Sequence, residues 1–248
     1  MNLFKADLHI HTVLSPCGDL EMSPYNIIVK AKQENIHILG ITDHNSARQC
    51  RTVRRIAEKE GIFILCGMEI TTKEEVHCLA FFDSTEALEK FDKYVYDNLA
   101  DIKNEPEKFG YQVVVDEDEL ITEEPEKLLI SATTLAIDEV EKKVHEAGGL
   151  FIPAHIDRLR NGIIGQLGFI PPGLNSDALE LSRFTNYDEF IKVNKEYSKH
   201  SFIHSSDAHY LDEIGQATSD FYLKELSFDE IKMALHRKNG RKVLVSGL

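Results

Sequence analysis

The stretch that decides the fold is Leu3-Phe4-Lys5-Ala6-Asp7-Leu8-His9-Ile10-His11-Thr12. Residues 3–10 alternate as a β-strand does and end on an Asp-Leu-His-Ile-His run. Side chains two apart on a strand share a face, so His9 and His11 point the same way. Asp7 joins them, placed to orient an imidazole. Working outward, Ser23-Pro24 opens a helix, with Ser as N-cap and Pro at the first helical position. Ile27, Ile28, Ala31 and Ile36 supply its apolar face. Ile38 to Thr42 reads as a second strand, cut by Asp43-His44-Asn45. Ser46 and Gln49 have capping-box spacing for a basic helix that stops at Gly61. Ile62 to Leu65 reads as a third strand, followed by Gly67-Met68-Glu69, and Val76 to Phe82 as a fourth.

Beyond this the strand-helix rhythm weakens. Residues 84–134 are rich in lysine and acids, with seven acids between Asp116 and Glu126. They read as a helical insertion or lid that shapes a pocket, and the acid run as a solvated face. The rhythm returns with a helix over 135–147 ending at Gly148-Gly149. Strands follow near Leu150–Pro153, Ala178–Leu181 and Phe202–Ser205. Helices fit Tyr187–Lys199 and Ser227–Lys238, the latter with Ser227 and Glu230 as a second capping box. Repeated strand-then-helix units over this length predict one α/β domain across 1–248, a parallel sheet closed into a barrel.

The chain carries 28 Lys and Arg against 42 Asp and Glu among 248 residues, a net charge of −14. Phosphates are repelled by such a body, which disfavours long nucleic acid as a partner and leaves a nucleotide or short oligonucleotide open. No apolar run approaches membrane-spanning length, and the first residues do not read as a signal peptide. The four cysteines, Cys17, Cys50, Cys66 and Cys78, lack CxxC spacing. Reduced thiols in a cytoplasmic protein are the expectation.

The chemistry gathers at the strand ends, where an α/β barrel places its active site. Asp7/His9/His11, Asp43/His44, Glu69, His77, His155 and Asp207/His209 all fall there. Asp207-Ala-His209 repeats the spacing of the first pair near the other end of the chain. Imidazoles with carboxylates and little thiolate suit Zn, Mn or Fe. The set exceeds a single four-coordinate zinc and is enough for two or three divalent ions. Such sites activate water and neutralise a phosphoryl group. Cys17 and Asp19 lie shortly after His11, and either is a candidate to reach the site. Arg158 and Arg183 are candidates to bind phosphate. His37, His145, His200, His204 and His236 lack this placement and read as structural or surface residues.

Asp7-Leu8-His9-Ile10-His11-Thr12, Thr42-Asp43-His44, Gly67-Met68-Glu69, His77, Pro153-Ala154-His155 and Ser206-Asp207-Ala208-His209, in that order, resemble the motifs of the PHP (polymerase and histidinol phosphatase) family. The resemblance implies a distorted, TIM-like (β/α)7 barrel with two or three metals at the strand ends and phosphoesterase activity. It implies that His9, His11, Glu69 and Asp207 hold one ion, Glu69, His77 and His155 a second, and His44 and His209 a third. Many members add a His or Asp to the third ion from the loop after the first motif. Here that loop is Ser15-Pro16-Cys17-Gly18-Asp19, and Asp19 is the better oxygen donor. The expected activity is hydrolysis of a small phosphomonoester or nucleotide, with Asp207, His209 or a metal-bound water handling the leaving-group proton. The alternative is a non-catalytic metal-binding module docking on a polymerase or another partner.

Overall fold

The structure is a computed structural model that describes residues 1–245. In chain order its elements are β1 (Asn2–Ile10), α1 (Pro24–Gln33), β2 (Ile38–Ile41), α2 (Cys50–Glu60), β3 (Phe63–Thr71), β4 (His77–Phe81) and α3 (Thr85–Asp97). Then come α4 (Pro106–Phe109), β5 (Val114–Val115), β6 (Ile121–Glu123), α5 (Ile137–Glu146), β7 (Leu150–Pro153) and α6 (Ile163–Leu167). The last are β8 (Leu179–Leu181), α7 (Tyr187–Val193), β9 (Phe202–His204), β10 (Ser219–Leu223), α8 (Phe228–Leu235) and β11 (Lys242–Val245).

The main sheet has the order β11-β10-β1-β2-β3-β4-β7, and β8 pairs with β9. Ile156 N–H donates to Glu180 O at 2.9 Å, linking the end of β7 to β8. A bridge between Ile10 and Ala208 links the end of β9 to β1. Seven strands, β1, β2, β3, β4, β7, β8 and β9, thereby curl into a distorted (β/α)7 barrel. The sheet is mixed rather than parallel: β1-β2, β2-β3 and β8-β9 run parallel, whereas β4 runs antiparallel to both β3 and β7. Residues 72–76 are too few for the crossover that a parallel pair requires. β10 and β11 add an antiparallel pair beside β1 that the strand-helix rhythm does not announce.

Two apolar layers hold the barrel. One fills its interior with Ala6, Leu8, Ile38, Leu65, Leu79, Leu150, Ile152 and Ile203 and is plugged by Phe221, Ile231 and Leu235 from β10 and α8. The other packs Ile27, Ala31, Val53, Ala57, Val140 and Val144 of the helices onto the strands. Ser23 caps α1 by accepting from Asn26 N, with Pro24 at the first turn, and Gly61 ends α2 at φ 72°.

Four expectations are corrected. The Ser46/Gln49 capping box does not form, and α2 begins at Cys50. Ser46 Oγ donates to Asp92 instead, and the Gln49 amide bonds the Val115 backbone in both directions, each at 2.9 Å. Tyr187–Lys199 is helical only to Val193, followed by a 3-10 turn. Ser227 caps α8, but Glu230 binds Arg241 and the Lys224 N–H rather than closing a box. Within 84–134 the helix is α3, and the rest is a short helix, a two-stranded ribbon and irregular chain. Its acid run is exposed, with Glu117 and Glu123 reaching Arg55 and Arg48 of the preceding helical region.

Candidate metal centre

Glu69 lies within β3, two residues after Gly67. A Cβ on Gly67 would stand 2.1 Å from Ala80 O, so only glycine lets β4 lie this close. The Glu69 carboxylate is 1% exposed and faces five imidazoles. Oε1 lies 2.7 Å from His77 Nδ1, 3.1 Å from His155 Nε2 and 3.3 Å from His9 Nε2. Oε2 lies 3.0 Å from His44 Nδ1 and 3.5 Å from His11 Nε2. His77 opens β4 rather than following a strand. It reaches the same mouth because β4 runs backwards beside β3.

Asp207 enters from the loop after β9, with Oδ1 3.4 Å from both His9 Nε2 and His11 Nε2. His209 stacks on His11 with ring centroids 4.1 Å apart, and His44 lies 4.4 Å from His11 on the same measure. His155 at φ 27° and Asp207 at φ 53° adopt left-handed backbone, which costs non-glycine residues roughly 1–3 kcal/mol each. Both turns are pinned. The Arg158 N–H donates to His155 O, and Ala208 N–H donates to His9 O.

Eight of the nine sequence-predicted ligands thus converge: His9, His11, His44, Glu69, His77, His155, Asp207 and His209. Six of them form three overlapping triplets whose donor atoms lie within 4.8 Å of one another, His9/His11/Glu69, His44/Glu69/His77 and His11/His44/His209. The ninth, Asp19, is not brought in. Its Oδ1 accepts from Glu21 N at 2.8 Å, a local turn. Cys17, two residues earlier, lines the cavity beside His209 instead.

Charge follows this packing. Burial works against the Glu69 and Asp207 carboxylates, but the surrounding histidines outweigh it and hold both well below the usual range. Burial also opposes a charged His9, yet Glu180, Glu69 and Asp207 raise its pKa well above normal. His11 goes the other way, lowered by burial and by His209 and His44. Desolvation raises the Cys17 thiol, and the pull of His44 and His209 exceeds it, leaving it lowered to about 6. A buried set of this kind, with Glu69 Oε2 and the Nδ1 atoms of His44 and His155 lacking hydrogen bonds, fits divalent cations.

Supporting residues complete the centre. Sequence reasoning missed Glu180 on β8, which is 1% exposed. Its Oε2 sits 3.0 Å from both His9 Nδ1 and His155 N. A lone acid between Leu179 and Leu181 in a buried strand is the signal that would have found it. Asp7 does not orient an imidazole. It accepts from Ser206 N and Gly215 N, each at 2.9 Å, and ties the Asp207 loop to β1. Asp43 accepts from Thr12 N, Thr12 Oγ1 and Ser15 Oγ, fixing the loop after β1.

Beside the donors opens a cavity of about 270 Å³ lined by Cys17, His155, Arg158, Arg183, Phe184, Asp207, His209 and Tyr210, among others. Arg158 Nη1 lies 2.5 Å from Asp207 Oδ2. Arg183 binds Glu213 at 2.7 Å and Ser206 O at 3.2 Å, and Glu213 in turn accepts from His209 N at 2.9 Å.

A sequence-family description of the PHP domain matches residues 7–212. The chain belongs to the PHP domain family. The uncharacterized protein YqxK of Bacillus subtilis (strain 168) is similar to this PHP chain, 25% identical over 284 residues, covering 99% of it and 65% of YqxK. The lesion-specific endonuclease PfuEndoQ of Pyrococcus furiosus superposes with a TM-score of 0.78 at 20% identity, over 100% of this chain and 59% of that one. An Endonuclease Q complex with a 27-mer duplex bearing an abasic lesion at its active site gives 0.75 at 19% identity, over 97% and 58%. At these identities the structural likeness is one of fold. The PHP chain spans less than two thirds of the length of these proteins.

Proposed function

We propose that this PHP protein is a metal-dependent phosphoesterase working at the Glu69 centre. The observation that carries the reading is the sharing of one buried carboxylate by five imidazoles, with Asp207 facing two of them. His9, His11, Glu69 and Asp207 would hold one ion, Glu69, His77 and His155 a second, and His44 and His209 a third, Zn, Mn or Fe fitting the donors. Bound ions of this kind supply an activated water and neutralise charge at phosphorus.

The chain's own residues do the rest. Arg158 and Arg183 line the cavity beside the donors and present guanidinium groups to a phosphate. Asp207 and His209 line the same cavity; His209 is the group placed to pass a proton to the leaving oxygen, and the Asp207 carboxylate, held below its usual range, can accept one. Glu180 and Asp43 keep the ligand-bearing turns in place.

A second substrate reading is favoured by the cavity rim and by the fold likeness to Endonuclease Q. Phe184, 70% exposed with Arg183 standing 5.0 Å over its ring, and Tyr210, 51% exposed, line the cavity and are aromatic groups on which a nucleobase could stack. A nucleotide or a nucleic-acid phosphodiester therefore joins the small phosphomonoesters as a candidate, with Arg158 and Arg183 the cationic groups at the cavity that would meet its phosphate. The non-catalytic module is disfavoured by a ligand set complete at eight of the nine expected positions.

The test is to strip metal with a chelator, restore Zn, Mn or Fe, and assay phosphomonoesters, nucleotides and an abasic-site duplex with metal content measured in the same sample. Activity is expected to vanish and return. Metal-replete protein inert on every substrate, or activity indifferent to chelation, would overturn the proposal.

A further inference from the structure

We propose that Cys17 is the protein ligand that completes the ion site of His44 and His209, making that site thiolate-containing. The inference rests on the metal-centre reading above, and its test is independent of hydrolysis.

The loop after β1 settles which side chain is presented. Ser15 N–H donates to Thr12 O and Gly18 N–H to Ser15 O, so the chain turns twice before Asp19. Asp19 N–H then donates to His209 O at 2.9 Å, anchoring the loop to the ligand turn, while its carboxylate folds onto Glu21 N. Cys17 is left lining the cavity with His209 and Asp207. The loop is braced from outside by the 98–134 segment. Val113 N–H donates to Val13 O, Leu14 packs among Leu99, Val114 and Leu129, and Val13 packs on Val113 and Val115. Gly110, at φ 97°, lies so close that a Cβ there would sit 1.9 Å from Pro16 O.

A second, independent observation points to a cation here. His44 is 6% exposed and Glu69 1% exposed, yet His44 Nδ1 and Glu69 Oε2 have no hydrogen bond and face each other at 3.0 Å. Three imidazoles, His11, His44 and His209, bring their donor atoms within 4.8 Å at this place. Imidazoles carry no charge to offset a dication, and a thiolate supplies one. Sulfur is a soft donor that selects Zn, Fe or Co over Mg, Ca and Mn, so this position would discriminate among metals that an aspartate would not.

The experiment loads the full chain with cobalt and compares wild type with Cys17→Ser and Asp19→Asn. Wild type and Asp19→Asn are expected to show thiolate-to-cobalt charge-transfer absorption in the near ultraviolet and equal metal content. Cys17→Ser is expected to lose the band and one metal equivalent, keeping the others, which shows that it is folded. In parallel, iodoacetamide should alkylate Cys17 in chelator-treated protein and not in the loaded protein. Cys50, Cys66 and Cys78 are buried, so the labelled thiol is readily assigned. A charge-transfer band that survives Cys17→Ser, equal alkylation of both forms, or metal loss in Asp19→Asn alone would overturn the proposal. Cobalt binding with the band present but no phosphoester cleaved would sustain it and sink the phosphoesterase reading instead.

Discussion

Replacing Glu180 by Gln isolates a residue that touches no proposed ion yet should govern metal affinity. With His9 Nε2 facing the donor cluster, Nδ1 carries the proton and donates to Glu180 Oε2 at 3.0 Å. The His155 N–H donates to the same oxygen at 3.0 Å, holding a turn with φ 27°. Glu180 Oε1 is buried and has no hydrogen bond. The glutamine amide must therefore place its NH2 either against two donors or in a pocket without an acceptor. In the better orientation two charge-assisted hydrogen bonds become neutral. A bond of the first kind contributes about 1.5–3 kcal/mol and one of the second about 0.5–1.5, a difference near 1–1.5 kcal/mol for the His9 bond, the one that bears directly on an ion. That is roughly 5–13-fold in an equilibrium constant, consistent with the ~10–100-fold that residues supporting metal-bound histidines control. Zinc titration against a chromogenic chelator at neutral pH measures it, with thermal melts of metal-free protein as control. Glu180→Gln should bind zinc about tenfold more weakly. Unchanged affinity with only a lower Tm would refute the reasoning and make Glu180 a residue of the fold alone.

Other consequences follow from the same contacts. Glu69→Gln removes the charge that five imidazoles share, and should lose more than one metal equivalent and at least about a hundredfold in kcat, on the order of 3 kcal/mol. Loss of a single equivalent with normal turnover would make Glu69 peripheral. Arg158→Ala should raise KM for phosphorylated substrates while metal content is kept; a fall in kcat alone would deny it a role in binding phosphate. At the far end of the barrel, Asp177 lies 2.9 Å from His145 and 2.6 Å from His236. Burial raises Asp177, but His145, the Phe151 N–H and His236 outweigh it and lower it, while the hydrogen bond to Asp177 leads in raising His145. The aspartate's contribution is lost as pH falls through its depressed pKa, and the histidine's as pH rises through its elevated one. Wild type should therefore exceed Asp177→Asn most between about pH 4 and 6.5, by about 1–2 kcal/mol, in melts across pH; a constant difference would exclude ionisation as the cause.

The proposed ligands were legible because each stands where a strand meets the mouth, and chemistry of that kind marks itself by residue type. His9 and His11 declare their shared face through spacing alone. Glu180 did not, since a single acid inside Leu179–Leu181 has no partner in spacing and its meaning comes from His9, far off in sequence. β10 escaped because Ser219–Leu223 gains its register only by pairing with β1. The direction of β4 was readable from the short connection after β3, and reading His77 as a strand-end residue overlooked it. Ser46 and Gln49 obeyed helix-start rules locally but were recruited by Asp92 and Val115, a tertiary override of propensity. Asp19 missed its expected place because backbone turns, not donor quality, decide which side chain a loop presents, and here its carboxylate folds onto Glu21 N.

The pairing of the start of the chain with its later part bears on biosynthesis. His9 and His11 leave the ribosome first among the proposed ligands, whereas Asp207 and His209 follow about two hundred residues later. At roughly 5–20 residues per second, that interval lasts about 10–40 s. During it β1 lacks β10, and its histidines have neither Asp207 nor Glu180 for most of the time. Contacts of such separation form late, because the intervening chain must first be gathered in. On the proposed reading of the Glu69 centre, the full donor set therefore exists only once the barrel has closed, and an ion held by all of its donors would be chosen by the finished fold rather than by the growing chain.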